Sequence, residues 1–282
     1  MFYGRCHDGS RCGATGNAGR QVVNELLALG QRVRAVTRNA AESHLPAQVE
    51  VVEGDLTRPE TIPFDGVTAV HMLTNAGADY AELLSGPDLV KQAEEAGVRR
   101  ITVLWSGHRS AMEEAVTASS LEWTVLRPVD FMSNALVWAE SVRVKGEVRE
   151  PFAYARSALV HEGDIGAVAA AVLVRGGHGG RTYTLTGPES LSVPEQVAAL
   201  SAAVGREIRY VEQSEAEARA EMLAAGRPAE VVDVLLGWKR DMPAEGYTVV
   251  STVEDVLGRP ARSFALWARE HAGRFISGAG TR

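Results

Sequence analysis

Cysteine is scarce. Cys6 and Cys12 are the only two in 282 residues, too few for a disulfide scaffold or, alone, for a four-ligand zinc site. Lysine is scarce too: Lys91, Lys145 and Lys239 are all there are, and none stands four residues after a tyrosine. The seven histidines show no i, i+4 pair and no cysteine at ligand spacing, so no metal site is expected. A G-x-S-x-G elbow is missing, which excludes the usual serine-hydrolase arrangement. The longest apolar run, residues 165–174, is about half of what a bilayer crossing needs. Nothing at the start pairs a basic stretch with an apolar one, so no secretion signal is read. Positive charge is in deficit: the net charge is −7 and the pI about 5.6, which argues against nucleic acid or an anionic membrane as the main partner. A cytoplasmic protein acting on a small molecule, as a monomer or homodimer, is the expectation that survives.

What is present is a globular composition, 45% hydrophobic and 23% charged. The length permits one large domain or two small ones. From Gly13 onward, short β-branched runs alternate with longer amphipathic segments. A helix is predicted over residues 20–29, with Val22, Val23, Leu26, Leu27 and Leu29 on one stripe and Gly30 as its stop. Strands are predicted over 32–36, 49–53, 69–74, 101–105 and 123–127, and helices over 88–96 and 109–119. Such alternation implies parallel βαβ units, hence an α/β fold with a doubly wound, Rossmann-type parallel sheet. After Pro128 the pattern turns helical: 132–143, 163–175, 194–204, 215–225, 229–238 and 263–276, with a polar loop after 143 and a strand at 182–185. The tail 277–282 is expected to fray.

Gly13-Ala14-Thr15-Gly16-Asn17-Ala18-Gly19 stands at a loop-to-helix boundary, with glycines spaced G-x-x-G-x-x-G. Missing Cβ atoms let the backbone turn tightly and approach a pyrophosphate, and the helix amino end offers N–H groups to it. Gly13, Thr15, Gly16, Asn17 and Gly19 are therefore candidate dinucleotide ligands. An Asp or Glu closing the next strand grips the ribose 2′-hydroxyl of NAD. Here the residues are Thr37-Arg38-Asn39, and Arg38 can pair with a 2′-phosphate as a charge-assisted fork, so NADPH is the expected cofactor. Asp55 is placed for the adenine edge, and Thr74-Asn75 for the middle of the cofactor. The expected organisation is an NAD(P)-binding domain over residues 1–130, completed by segments near 160–187, and a smaller, mostly helical substrate lobe over 131–282.

These residues resemble a known group. Gly13 to Gly19, Thr37-Arg38, Gly54-Asp55-Leu56, Leu126-Arg127-Pro128, Asp164-Ile165-Gly166 and Tyr183-Thr184-Leu185-Thr186-Gly187-Pro188 look like the NmrA-like branch of atypical short-chain dehydrogenases. The resemblance implies a Rossmann-type fold, NAD(P)H as cofactor, and cofactor contacts that include Leu56 and Pro128. Members include reductases and also dinucleotide-sensing regulators without turnover. Such proteins usually open with an apolar first strand before the glycine loop. Here Gly4 to Cys12 carries Arg5, Asp8 and Arg11, so either this segment pairs poorly or the natural start lies elsewhere. Ordinary short-chain dehydrogenases use Tyr-x-x-x-Lys, which the lysine positions exclude.

Chemistry is sought after the 101–105 strand, in Trp105-Ser106-Gly107-His108. Ser106 can hydrogen-bond a substrate oxygen and His108 can donate a proton near neutral pH. Glu113 and Glu114 read as a solvated helix face or as favourable first-turn charges. Phe131, Met132, Trp138 and Tyr154, with Phe152, are candidates for an aromatic-accepting pocket. The first reading is an NADPH-dependent reductase of a small conjugated carbonyl, quinone or aromatic metabolite. A non-catalytic NADP sensor, and an isomerase, cyclase or dehydratase on the same fold, are the alternatives.

Overall fold

The computed structural model describes residues 13–76, 81–105, 107 and 109–276. The expectations for residues 4–12, Ser106, His108 and the tail 277–282 lie outside the described residues. The chain divides into two compact units. One comprises Met1–Pro128, Glu162–Leu185 and Thr252–Arg259; the other comprises Val129–His161, Thr186–Ser251 and Pro260–Arg282.

A 3-10 turn at Gly13–Thr15 leads into α1 (Asn17–Ala28), followed by strands β1 (Arg34–Thr37), β2 (Glu50–Glu53) and β3 (Ala69–Leu73). The short strands β4 (Asn75–Ala76) and β5 (Ala81–Glu82) precede α2 (Gly86–Glu95), β6 (Arg100–Leu104), α3 (Ala111–Ala118) and β7 (Glu122–Pro128). Next come α4 (Ala139–Lys145), β8 (Glu147–Glu150), β9 (Arg156–Ser157), α5 (Glu162–Arg175), β10 (Arg181–Leu185) and β11 (Leu191–Ser192). The chain continues through α6 (Val193–Val204), β12 (Arg209–Glu212), α7 (Glu215–Ala224), α8 (Ala229–Arg240), α9 (Ala244–Tyr247), α10 (Thr252–Leu257) and α11 (Phe264–Ile276). No helix among the described residues is long and apolar enough to cross a membrane.

In the first unit, β10, β7, β6 and β3 form a parallel sheet in that order, and β1 and β2 form a parallel pair. This is the Rossmann-type α/β architecture that the alternating pattern implies. Parallel strands are covered on both faces, and β6 accordingly buries Ile101 and Val103 completely. Leu89 and Val90 of α2, with Met112 and Val116 of α3, pack on Val70, Met72 and these residues. Helix α5 is buried on nearly every side from Ile165 to Leu173, as a helix apolar all round must be. It lies flush on α1: a Cβ at Gly166 would stand 2.6 Å from the Gln21 carbonyl carbon and 2.8 Å from the Val22 nitrogen. At its amino end, fully buried Asp164 accepts from Arg259 Nη2 at 2.7 Å.

The second unit has a separate core in which Phe264, Trp267 and Phe275 of α11 are fully buried among Leu200 of α6, Val142 of α4 and Val148 of β8. Phe264 and Trp267 stack with centroids 5.4 Å apart. Helices α6 and α7 each open with a reciprocal box, Ser192 with Glu195 and Ser214 with Glu217, which satisfies two amino-end donors apiece.

Two expectations are corrected here. The single helix over 132–143 is instead a 3-10 segment, Met132–Trp138, followed by α4, which ends at Gly146 with φ +66°. Its first turn is tightened where the Asn134 N–H bonds the Phe131 carbonyl and Asn134 Nδ2 donates to Asp130 Oδ1. The polar loop after 143 contains β8, paired in parallel with β12, and β9, antiparallel to β11. Those partners are remote in the chain, so local periodicity carries no trace of them.

His71 on β3 faces Thr102 on β6, with 2.8 Å between Nδ1 and Oγ1. Burial holds its pKa down at about 3 against an ordinary 6.5. The folded state thus keeps the ring neutral while the unfolded chain takes up a proton below 6.5. This contribution to stability is complete above that value and is lost as the pH falls towards 3. Denaturant titrations at pH 7 and pH 5 should show a loss of about 2 kcal/mol from this residue. His71→Asn should remove that increment of pH dependence, measured as the difference between the two midpoints.

Candidate functional site

The glycine loop owes its geometry to small residues. Ala14 is fully buried and Ala18 nearly so. Gly16 is the N-cap of α1 in an extended conformation (φ −79°, ψ 174°), and having no side chain it caps nothing. The first turn of α1 holds no acidic residue, so its positive end keeps an unopposed appetite for an anion. The Thr15 hydroxyl is the sharper sign. It is buried and has no hydrogen-bond partner among the described residues. Leaving such a group unpaired costs about 1–3 kcal/mol. A dinucleotide diphosphate fits both features, since it brings negative charge and acceptor oxygens to a hydroxyl donor and a helix amino end.

The other predicted cofactor residues lie at strand ends of the same unit. Arg38 follows β1 and is exposed. Beside it, buried Thr37 accepts the Asn39 N–H on its hydroxyl at 3.3 Å, locking the turn from which Arg38 projects. Gly54 closes β2 where a Cβ would come within 2.9 Å of both Val36 Cγ1 and the Thr61 carbonyl. Asp55 directs Oδ1 to its own turn, accepting from the Thr57 N–H at 2.9 Å and hydroxyl at 2.8 Å. Leu56 is core. Thr74 and Asn75, both buried, follow β3, and the Thr74 hydroxyl lies 3.4 Å from the Leu104 carbonyl. Pro128 ends β7 opposite Leu185 of β10.

At the carboxyl ends of β6 and β7 lies a cluster that the sequence reading passed over. The Trp105 N–H donates to the Leu126 carbonyl at 2.9 Å, extending the ladder by one residue. The Arg127 guanidinium stands over the Trp105 ring, 5.1 Å from its centroid, and its Nη2 meets Glu113 Oε1 at 2.5 Å. Glu113 is therefore not on a solvated helix face but buried, at 6% exposure, whereas Glu114 is exposed and pairs with Arg109. The sequence carries one hint of it: Arg127 is the lone charge inside Thr124-Val125-Leu126-Arg127-Pro128, and a half-buried arginine at a strand end favours a carboxylate beside it. Ser106 and His108, the predicted catalytic pair, lie outside the described residues.

The second unit carries the predicted pocket residues. Met132 and Trp138 are core; Trp138 Nε1 donates to Glu150 Oε1 at 2.8 Å, while Lys239 holds the other oxygen of Glu150 at 2.7 Å. Phe131 is half-buried and bridges Val160 in parallel. Tyr154 is exposed and meets Phe152 edge-on at 6.2 Å, so the structure does not gather the four around one surface. Phe152 itself has φ +61°, a left-handed conformation that strains a bulky residue. Asp130 accepts from the Phe131 N–H at 2.9 Å, Asn134 Nδ2 at 2.6 Å and the Ser157 hydroxyl at 3.3 Å. Burial nonetheless pushes its carboxyl group above the usual range, against the pull of those bonds and of Lys239. No group of His, Cys, Asp and Glu suited to a metal ion occurs among the described residues.

The fold and the anion-seeking loop define a nucleotide-dependent protein of the Rossmann class, and comparison makes that specific. Residues 13–110 match the NAD(P)H-binding family. The NAD(P)H azoreductase of Xenophilus azovorans is 33% identical, over 93% of this chain and 97% of its own. The (4-alkanoyl-5-oxo-2,5-dihydrofuran-3-yl)methyl phosphate reductase of Streptomyces griseus is 35% identical over the same shares, 93% and 97%. In fold, the chain superposes with a TM-score of 0.75 on the NADPH-dependent quinone oxidoreductase of Escherichia coli complexed with NADPH, at 21% identity over 91% of this chain and 97% of that one. The chain belongs to the family of NAD(P)H-dependent reductases that the Xenophilus and Streptomyces relatives define, and it is an NAD(P)H-binding oxidoreductase.

Thr15 provides a discriminating prediction. Thr15→Val removes a hydroxyl that has no described partner, so thermal stability of the free protein should hold or rise slightly. Affinity for NADP, read by calorimetry, should fall by about tenfold or more, the worth of one hydrogen bond to a charged group.

Proposed function

We propose that this protein is an NADPH-dependent reductase that delivers hydride to a small, conjugated, electron-poor acceptor such as a quinone, an azo compound or an unsaturated lactone. The observation that carries the reading is the uncapped amino end of α1 beside the buried Thr15 hydroxyl, a cradle built for a diphosphate. The acceptor class is supported by what the names of the relatives share: azo, oxo-dihydrofuran and quinone groups are all conjugated π systems open to two-electron reduction. Bound NADPH supplies the hydride.

Gly13, Thr15, Gly16, Asn17 and Gly19 hold the diphosphate in this reading. Arg38 takes the 2′-phosphate, Asp55 the adenine edge, and Leu56, Thr74, Asn75 and Pro128 flank the remainder. Ser106 and His108 are the proposed hydrogen-bonding and proton-donating groups, and Phe131 and Tyr154 the proposed contacts to the acceptor. Met132 and Trp138 contribute from the core by fixing the segment that carries Phe131. A delocalised anion formed by hydride addition can be protonated by water, so positioning of donor and acceptor is the main demand on the chain.

Loss of NADPH absorbance should follow addition of menadione, methyl red or an unsaturated lactone to the purified protein. Tight NADPH binding with no turnover on any of the three would instead establish the sensor reading. In Arg38→Asp, the affinity ratio of NADPH to NADH should fall by about tenfold to a hundredfold, as expected for removing a charge-assisted contact to the 2′-phosphate. An unchanged ratio would remove Arg38 from the cofactor site.

A further inference from the structure

The Glu113–Arg127–Trp105 cluster is more than a structural ion pair. A guanidinium and a carboxylate that serve only each other normally meet fork to fork, through two parallel bonds. Here one contact is made, Arg127 Nη2 to Glu113 Oε1 at 2.5 Å. Glu113 Oε2, Arg127 Nε and Trp105 Nε1 are buried without hydrogen-bond partners among the described residues. The carboxylate is almost wholly enclosed, its side chain 8% exposed, while the arginine side chain keeps 39% of its surface open. Glu113 thus anchors one edge of the guanidinium and leaves another to solvent.

Position gives that open edge a use. Trp105 directly follows β6 and Arg127 is the penultimate residue of β7, two adjacent parallel strands in which Leu104, the last residue of β6, pairs with Leu126. Ligands of open α/β sheets bind at the carboxyl ends of the strands. The indole under the guanidinium, 5.1 Å from its centre, holds the cation as a flat platform, which suits a planar anion better than a mobile ammonium would. Glu113 occupies the third position of α3, where its N–H is capped by Ser110 Oγ at 3.2 Å, so the aiming carboxylate stands on a fixed helix start.

We propose that Arg127, aimed by Glu113 and backed by Trp105, is the subsite that receives the negative oxygen of a planar conjugated acceptor. The proposal rests on the reductase reading and specifies its substrate: a conjugated carbonyl compound, with ring-bound carboxylates as unreactive mimics. Hydride forms a C–H bond at the far end of the conjugated system and the displaced π pair moves to the carbonyl oxygen. Arg127 neutralises that oxyanion until water supplies the proton, leaving a two-electron-reduced product and NADP⁺.

The test uses two readouts on the full chain. The first is equilibrium binding of 2-naphthoate, a planar carboxylate that is not reduced, followed through protein fluorescence. The wild type should bind it, Arg127→Gln should weaken binding by about tenfold or more, and Arg127→Lys, which keeps the charge but loses the planar fork, by about threefold. The second is turnover of menadione: kcat should fall by about tenfold in Arg127→Gln, with the dissociation constant for NADPH unchanged. Glu113→Gln, which leaves the guanidinium unaimed, should lower kcat in the same sense. Equal 2-naphthoate affinity in the wild type and both arginine variants would overturn the proposal, and so would an unchanged kcat in Arg127→Gln. A wild type that fails to bind NADPH would sink the reductase reading instead, while the naphthoate titration would still judge Arg127. If Arg127→Gln does not fold, Arg127→Lys and Glu113→Gln decide the matter.

Discussion

The close approach of α5 to α1 is the contact on which the site depends. A helix amino end attracts a diphosphate only if it points to one place, and it is the buried face of α1, not its cap, that holds it there. Its N-cap is a glycine and its carboxyl half is partly exposed. What fixes it is α5, which presents a surface free of side chain at Gly166 and so seats its backbone against Gln21 and Val22. Helix α5 is itself set by total burial and by the Asp164–Arg259 pair, in which a carboxylate with no exposed surface requires its cation. Position is passed from a buried helix to the glycine loop through one missing methyl group.

Buried charge is the second constraint, and it marks the places where the two units have chemistry to offer. Arg100 at the start of β6 spends its charge on the carboxyl end of α5, donating to the Leu173 and Val174 carbonyls, and on Glu122. That cation is consumed by structure. Arg127, at the opposite end of the neighbouring strand, is only partly consumed. In the second unit Glu150 is fully used, between Trp138 and Lys239, whereas Asp130 collects three donors and is still pushed towards its neutral form by burial. How much of each charge its neighbours leave unspent separates scaffolding from candidate function.

Much of this was legible in the chain. The helix stripes, the strand alternation and the stop glycine at 30 reflect periods and φ preferences that neighbours within one element impose, and most helices of both units follow them. The glycine loop was legible because a tight turn into a helix is written in residue types at fixed spacing. The segment 132–143 misled because its apolar spacing suits an α-helix throughout, while the backbone runs as a 3-10 segment to Trp138 before α4 begins, a difference no period records. β8 was invisible because a four-residue strand exists only once β12 lies beside it. Glu113 misled because a glutamate in a first helical turn usually faces water, and only the arginine on the adjoining strand draws it inward.

The sequence by itself determined the class of fold, and it located the glycine loop and the arginine after β1 at which the cofactor is proposed to sit, since each follows from short-range patterning and from what a missing side chain permits. Only the tertiary structure decided that Met132 and Trp138 are core, that Thr15 keeps a buried hydroxyl in reserve, and that Glu113, Arg127 and Trp105 form one unit. Those facts concern which groups lose their water and which partners they then find. Desolvation and partnership are properties of residues distant in the chain, and no window along it contains them.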